Sequence, residues 1–245
     1  MPSLAVRTVT ALALLLGGTS FSGAATPTDA DEARKAFDEA LAAREAGDLA
    51  AAMHGLERAT LLVPEWGLAH LELGVTRLAL DPDDAGGVRS LEKATELEPQ
   101  NPRAHLSLGL AYQRANRLHD AARELETALA RRPDLYEARY ALAGVTAAGG
   151  DAPKAIALYR EVLAMRPDDV SSFAALAELY EKSGDLGAAE ASLVAIVRLL
   201  PTQAYHRYRL AAFYERIGRR DKAQQVFGEI ETMDPRQRKM RRLRP

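Results

Sequence analysis

The sequence predicts an all-α fold, a right-handed α-α superhelical solenoid of about six helix pairs, and three coincident registers predict it. The first register is proline. Pro64, Pro99, Pro133, Pro167, Pro201 and Pro235 are separated by 35 residues once and by 34 residues four times. The second lies 17 residues before five of these prolines, at Gly47, Asn116, Gly150, Gly184 and Gly218. Gly and Asn tolerate the left-handed backbone that ends a helix, and proline cannot continue one. Each unit therefore reads as helix, stop, second helix, stop. The third register is a small residue 12 positions before each proline: Ala52, Gly87, Ala121, Ala155, Ala189 and Ala223. Four residues on come Leu56, Leu91, Leu125, Tyr159, Leu193 and Phe227, one turn along the same face. The small side chain lets two helix backbones approach. A pair this short cannot bury its apolar face alone, so neighbouring pairs must stack.

Residues 1–25 stand apart from the array. Arg7 precedes the apolar run Ala11–Leu16, Gly17 and Gly18 follow, and Ser22-Gly23-Ala24-Ala25 ends the stretch with small residues. This is the order of a secretory signal peptide, with cleavage after Ala24 or Ala25. A retained anchor needs about 20 predominantly apolar residues, and Arg7, Thr8, Thr10, Thr19, Ser20 and Ser22 interrupt the run. The expected destination is the periplasm or the cell exterior. With no cysteine in the chain, there is no site for lipid attachment at an N-terminal thiol.

The solenoid is expected over 26–235, its units ending near 64, 99, 133, 167, 201 and 235. In unit one the first helix is expected to begin at Asp29, capped by that side chain with Glu32 closing a capping box. It is thin, with Ala36, Glu39 and Ala43 at its interior positions. Unit two keeps His70, Leu73 and Gly74 but carries one extra residue in the turn Leu80–Gly87, which accounts for the single spacing of 35. Unit three has His105, Leu108, Gly109, Tyr112, Ala121, Leu125, Ala128 and Pro133. Unit four keeps Leu142, Ala143, Ala155, Tyr159 and Pro167, with Thr146 where unit three has its tyrosine. Unit five runs through Phe173, Leu176, Ala177, Tyr180, Ala189, Leu193 and Ile196; unit six through Leu210, Ala211, Tyr214, Ala223, Phe227 and Ile230.

On these residues the chain resembles the tetratricopeptide repeat family, over about residues 31–235. The family pattern has Trp where His105 stands and Phe where Leu125 stands. His70 and His105 then read as packed, hydrogen-bonded replacements for an inward-facing Trp. The resemblance further implies a concave surface lined by the first helix of each pair, with positions 27 and 23 residues before each proline facing it. Those positions hold Phe37 and Leu41, Leu106 and Leu110, Tyr140 and Gly144, Ala174 and Glu178, and Tyr208 and Ala212. Unit two, aligned through Leu73-Gly74, contributes Leu71 and Val75. Arg44, Arg103 and Arg114 flank this stripe. Two readings remain open: the apolar stripe is a groove for an apolar or helical peptide segment, or a tight superhelix lets these residues pack on one another. The family's carboxylate clamp uses Lys and Asn where Phe37 and Leu41 stand, so that activity is not implied.

Catalytic signals are missing. No GxxxxGK or GxGxxG run occurs, and the five histidines show neither an HExxH pattern nor a close pair. Asp81-x-Asp83-x-Ala85-Gly86 with Glu92 imitates a calcium loop, but Ala85 stands where an oxygen ligand is needed and Pro82 stiffens the start. An acidic turn capping a helix is the expected reading, with no cofactor and no metal. Glu178, Glu181 and Lys182 read as a solvated, ion-paired face. A net charge of −2 argues against nucleic acid. That balance is segregated, however. Arg236, Arg238, Lys239, Arg241, Arg242 and Arg244 give the last ten residues +6, while residues 26–235 carry −9. The tail reads either as a solvated terminus or as a weak contact for anionic lipid or another acidic envelope surface.

The expected function is a non-catalytic scaffold or adaptor of the bacterial cell envelope that binds a protein partner in the groove. The alternative is an accessory or glycan-binding subunit of a cell-wall or exopolysaccharide enzyme system, for which Trp66, Tyr205, Tyr208 and Tyr214 would be the aromatic platforms.

Overall fold

A computed structural model describes residues 26–233; residues 1–25 and 236–245, on which the signal-peptide and basic-tail expectations fall, lie outside the described residues. Twelve α-helices follow one another, with no strand among the described residues. They form six pairs: α1 (Pro27–Glu45) with α2 (Leu49–Leu62), α3 (Gly67–Leu80) with α4 (Ala85–Leu97), and α5 (Pro102–Arg114) with α6 (Leu118–Arg131). The remaining pairs are α7 (Tyr136–Ala148) with α8 (Ala152–Met165), α9 (Val170–Ser183) with α10 (Leu186–Leu199), and α11 (Ala204–Arg216) with α12 (Arg220–Met233).

All five predicted mid-unit stops have positive φ, from 55° at Asn116 to 90° at Gly150. Pro64, Pro99, Pro133, Pro167 and Pro201 all sit in the turns between pairs. Three of the left-handed glycines are followed by an aspartate that caps the next helix. Asp48 accepts from the Ala51 amide, Asp151 from Lys154 and Asp185 from Ala188. These Gly-Asp steps end one helix and begin the next within two residues. The first helix, by contrast, begins earlier than expected. Its N-cap is Thr26, whose Oγ1 accepts from the Asp29 amide, while the Asp29 carboxylate accepts from the Thr26 amide at 2.8 Å. Asp29 is thus the third helical residue of the capping box, with Pro27 pre-set in the first turn. The bond from the Thr26 backbone holds the Asp29 carboxyl below its ordinary range.

The six small-register residues are buried, as are five of the six larger partners; only Phe227 remains half-buried. In unit two a glycine replaces the usual alanine, and α3 and α4 approach closely there. A Cβ on Gly87 would lie 2.7 Å from the branching carbon of Leu78, and one on Gly74 would lie 2.8 Å from the Gly87 carbonyl. Four apolar clusters hand over along the array, from Phe37 and Leu56 through Leu91 and Leu125, then Tyr159 and Leu176, to Leu193 and Phe213. Each spans neighbouring pairs, so no pair owns a complete core. Besides packing on its own partner, α5 touches both α3 and α7. The first helices therefore stand side by side on the inner, concave face of a right-handed superhelix.

Candidate functional site

The expected groove residues separate by burial along the concave face. Phe37 and Leu71 belong to the core, at 5% and 0% exposure, and offer no surface to a partner. Phe37 is closed over by Trp66, with ring centroids 4.6 Å apart. The packing alternative holds for these two: Phe37 is covered within the first cluster, and Leu71 within the next, among Leu78, Leu91 and Leu108 of units two and three. Leu41, Val75, Leu106 and Tyr140 are half-buried, with Val75 and Leu106 leaning on the central cluster. Leu110, at 39% exposure, presents its side chain to the groove, and Arg114 is exposed at the end of α5.

Sequence reasoning passed over Glu72, which is 5% exposed and sits among the flanking arginines. Arg44 of α1 and Arg103 of α5 both reach it, Arg103 at 3.2 Å. One buried carboxylate thus ties three successive first helices together, and Arg103 is a strut of the groove as well as part of its rim. An acid set between Leu71 and Leu73 on a mostly apolar helix was the available signal, because such a group, once buried, needs cationic partners.

At the middle of the array the face opens. Gly144 stands where units one to three have Leu41, Val75 and Leu110. The missing side chain leaves a hollow of about 420 Å³ between α5, α7, α8 and the start of α9. Leu110, Gln113, Tyr136, Tyr140 and Tyr159 line it, with Glu137 and Asp169. The Tyr140 and Tyr159 rings meet edge to face, centroids 5.5 Å apart and planes at 71°. The Tyr159 hydroxyl makes no hydrogen bond among the described residues, and burial pushes it up to about 12, so it remains neutral. Tyr159 reads in sequence as the large residue of the small/large register. Nothing in linear order shows that Gly144 of the preceding helix uncovers its hydroxyl.

Further along, the face is ionic. A second hollow of about 290 Å³ lies between α9, α10 and α11. Glu178 pairs there with Arg209 at 3.5 Å and Glu181 with Arg216 at 2.6 Å. The ion-paired face expected at Glu178 and Glu181 is present, with partners from the next unit instead of Lys182.

His70 and His105 serve the scaffold. His105 bridges the Pro99 carbonyl and the Glu124 carboxylate, at 3.1 and 2.8 Å, and His70 Nε2 meets the Pro64 carbonyl at 2.9 Å. In the acidic turn, Asp84 accepts from the Gly86 amide and pairs with Arg77, while Glu92 accepts from the Tyr112 hydroxyl. Among the described residues, no three His, Asp or Glu side chains converge as a metal site. The aromatic platform is dispersed too. Trp66 lies on Phe37, Tyr214 is buried and donates to Glu190, and only Tyr205 and Tyr208 are exposed.

Two family models, both described as tetratricopeptide repeat, match residues 106–170 and 146–207. No curated protein matches the chain. Among solved structures, the type IV pilus biogenesis factor PilW aligns with a TM-score of 0.69 and 20% identity, over 83% of this chain and 94% of its own. PilF of Pseudomonas aeruginosa aligns with a TM-score of 0.67 and 16% identity, over 85% and 94%. YrrB, a repeat protein with an unusual peptide-binding site, aligns at 0.59 and 17% identity, over 74% and 92%. At these identities the likeness establishes the fold.

Proposed function

We propose, from the premise that the chain is a tetratricopeptide repeat protein, that it is a non-catalytic scaffold whose concave face binds a polypeptide segment of a partner protein. The observation that carries this reading is the change of character along that face. An apolar strip, half-buried at Leu41, Val75 and Leu106 and exposed at Leu110, runs into the open hollow over Gly144 and then into the ion-paired stretch at Glu178 and Glu181. Such a surface suits a chain with apolar residues at one end and polar ones at the other, and concave solenoid faces are built to follow extended partners. The similar structures include a protein with a peptide-binding site and a pilus biogenesis factor, which supports a binding role in general and names no partner here.

The proposed place of action is the bacterial cell envelope, reached through cleavage of residues 1–25. Support for it is the order charge, apolar run and small residues in that segment. The basic tail adds a proposed weak contact with an anionic surface.

The test uses Leu110, which is exposed, in preference to Leu106, which helps hold the core. Leu110→Glu should keep the helix content measured by circular dichroism and lower capture of the partner from envelope extracts at least tenfold. Unchanged capture with intact helicity would remove the groove from the account.

A further inference from the structure

We propose that the hollow over Gly144 seats a lysine or arginine side chain carried by the bound partner segment, an inference that rests on the concave face being a polypeptide-binding groove.

Three independent features of the hollow favour a cation. Its walls are the first. Tyr140 and Tyr159 meet edge to face, at 71° and 5.5 Å, and both rings line the hollow, so an entering group meets aromatic surface. Cations are attracted to such faces, and aromatic boxes are how proteins hold ammonium and guanidinium groups. A third ring on the rim, Tyr136, already carries one: the Arg166 guanidinium lies 4.4 Å from its centroid.

Charge is the second feature. Glu137 and Asp169 line the hollow, and no lysine or arginine does. Glu137 makes no ion pair among the described residues, and Asp169 accepts one bond from the Ser172 amide, leaving acceptor capacity. The neighbouring hollow between α9 and α11 is the contrast. Its two glutamates are matched by Arg209 and Arg216, so the protein neutralises its own acids there. Over Gly144 no cation lines the hollow, and the nearby Arg166 guanidinium lies on the Tyr136 ring.

Space and hydrogen bonding are the third. A Cβ on Gly144 would meet only Gln113 Nε2 at 3.4 Å and the Tyr159 hydroxyl at 3.5 Å. The opening thus leads directly to the Tyr159 hydroxyl, which makes no hydrogen bond among the described residues and which an occupant of the hollow would cover. A guanidinium or ammonium N–H entering there can donate to the Tyr159 oxygen while its charge faces Glu137 and Asp169. An apolar side chain would fill the volume but leave that hydroxyl unsatisfied, which is costly at a buried site.

The probe is a displayed library of random twelve-residue peptides selected against the full chain at physiological salt. Selected peptides are expected to share a lysine or arginine at one aligned position. Replacing that residue by norleucine should weaken binding at least tenfold, and Glu137→Gln with Tyr140→Leu should remove most of that difference. Gly144→Leu, which fills the hollow without disturbing α7, should cost at least tenfold as well, whereas Glu65→Gln on another unit should cost nothing. Circular dichroism of each variant separates lost binding from lost folding. Selected peptides with no fixed cation, or binding indifferent to these variants, would overturn the cation seat while leaving the groove in place. Failure to select any peptide would overturn both. If changing the six tail cations to glutamine raised peptide affinity tenfold, the seat would belong to this chain's own tail and the assignment to a partner would be wrong.

Discussion

Gly87 and Gly144 both lie within helices, and they predict opposite responses to alanine. At Gly87 the new methyl would press on Leu78 at its branching carbon, 2.7 Å away, which cannot swing aside like the end of a flexible chain. Overpacking of this kind costs about 1–3 kcal/mol, more than the gain in helix propensity. Gly87→Ala is therefore expected to lower the urea midpoint. At Gly144 the nearest atoms lie at 3.4 and 3.5 Å, and Gly144→Ala should raise stability by up to about 1 kcal/mol. Equal effects of the two substitutions would refute the packing described for α3 and α4. The first of these glycines was legible, because it occupies a register position at which five other units have alanine. The second was visible only as a gap in an apolar stripe. Its consequence depends on Tyr159, fifteen positions on in another helix, and on Gln113 from the preceding unit.

Helices of successive units are tied by side chains as well as by packing. Tyr112 of α5 donates to Glu92 of α4 at 2.7 Å, and Tyr214 of α11 donates to Glu190 of α10 at 2.9 Å. Lys222 and Arg219 also reach Glu190. The bond from Lys222, with that from Tyr214, holds the Glu190 carboxyl below its ordinary range despite some desolvation. For a carboxylate with a lowered folded-state value, the stabilisation is complete above the unfolded value, about 4.3. It is lost as pH falls through the folded value. Amide protection factors in α11 and α12, taken relative to the intrinsic exchange rate at each pH, should accordingly fall on acidification below that range, and Glu190→Gln should abolish the fall. Pair boundaries were legible because prolines and left-handed residues punctuate the chain every half unit. The caps were less so: Thr26 hides behind a proline, and Asp48, Asp151 and Asp185 are read as caps only once the preceding glycine is known to be left-handed. Phe37 and Leu71 were misplaced for a related reason. A repeat position defines which way a side chain points, but not how closely the next helix approaches it.

Across the whole molecule, stability should fall in alkali. Burial pushes the phenols of Tyr112, Tyr159 and Tyr214 up to about 12, while in the unfolded chain they ionise near about 10. Between those values the unfolded state releases protons that the folded state retains, so stability declines as pH rises from 10 towards 12. Thermal melts across that window should show the decline, and Tyr→Phe at the three sites should flatten it. Charge is distributed on the same scale, with −9 over residues 26–235 against +6 in the tail. If the tail docks on anionic surfaces, the chain should sediment with anionic liposomes at low salt, lose that attachment at physiological salt, and lose it at both when the six cations are changed to glutamine. The repeat architecture was legible from end to end because every unit restates it. The proposed binding face was legible only in outline, since its chemistry comes from what adjacent units leave uncovered. The most direct test of that face is photo-crosslinking to a selected peptide from two exposed leucines, Leu110 on the first-helix face and Leu61 on α2. Crosslinks from position 110 and none from position 61 are predicted; crosslinks from 61 alone, or equally from both, would contradict the account.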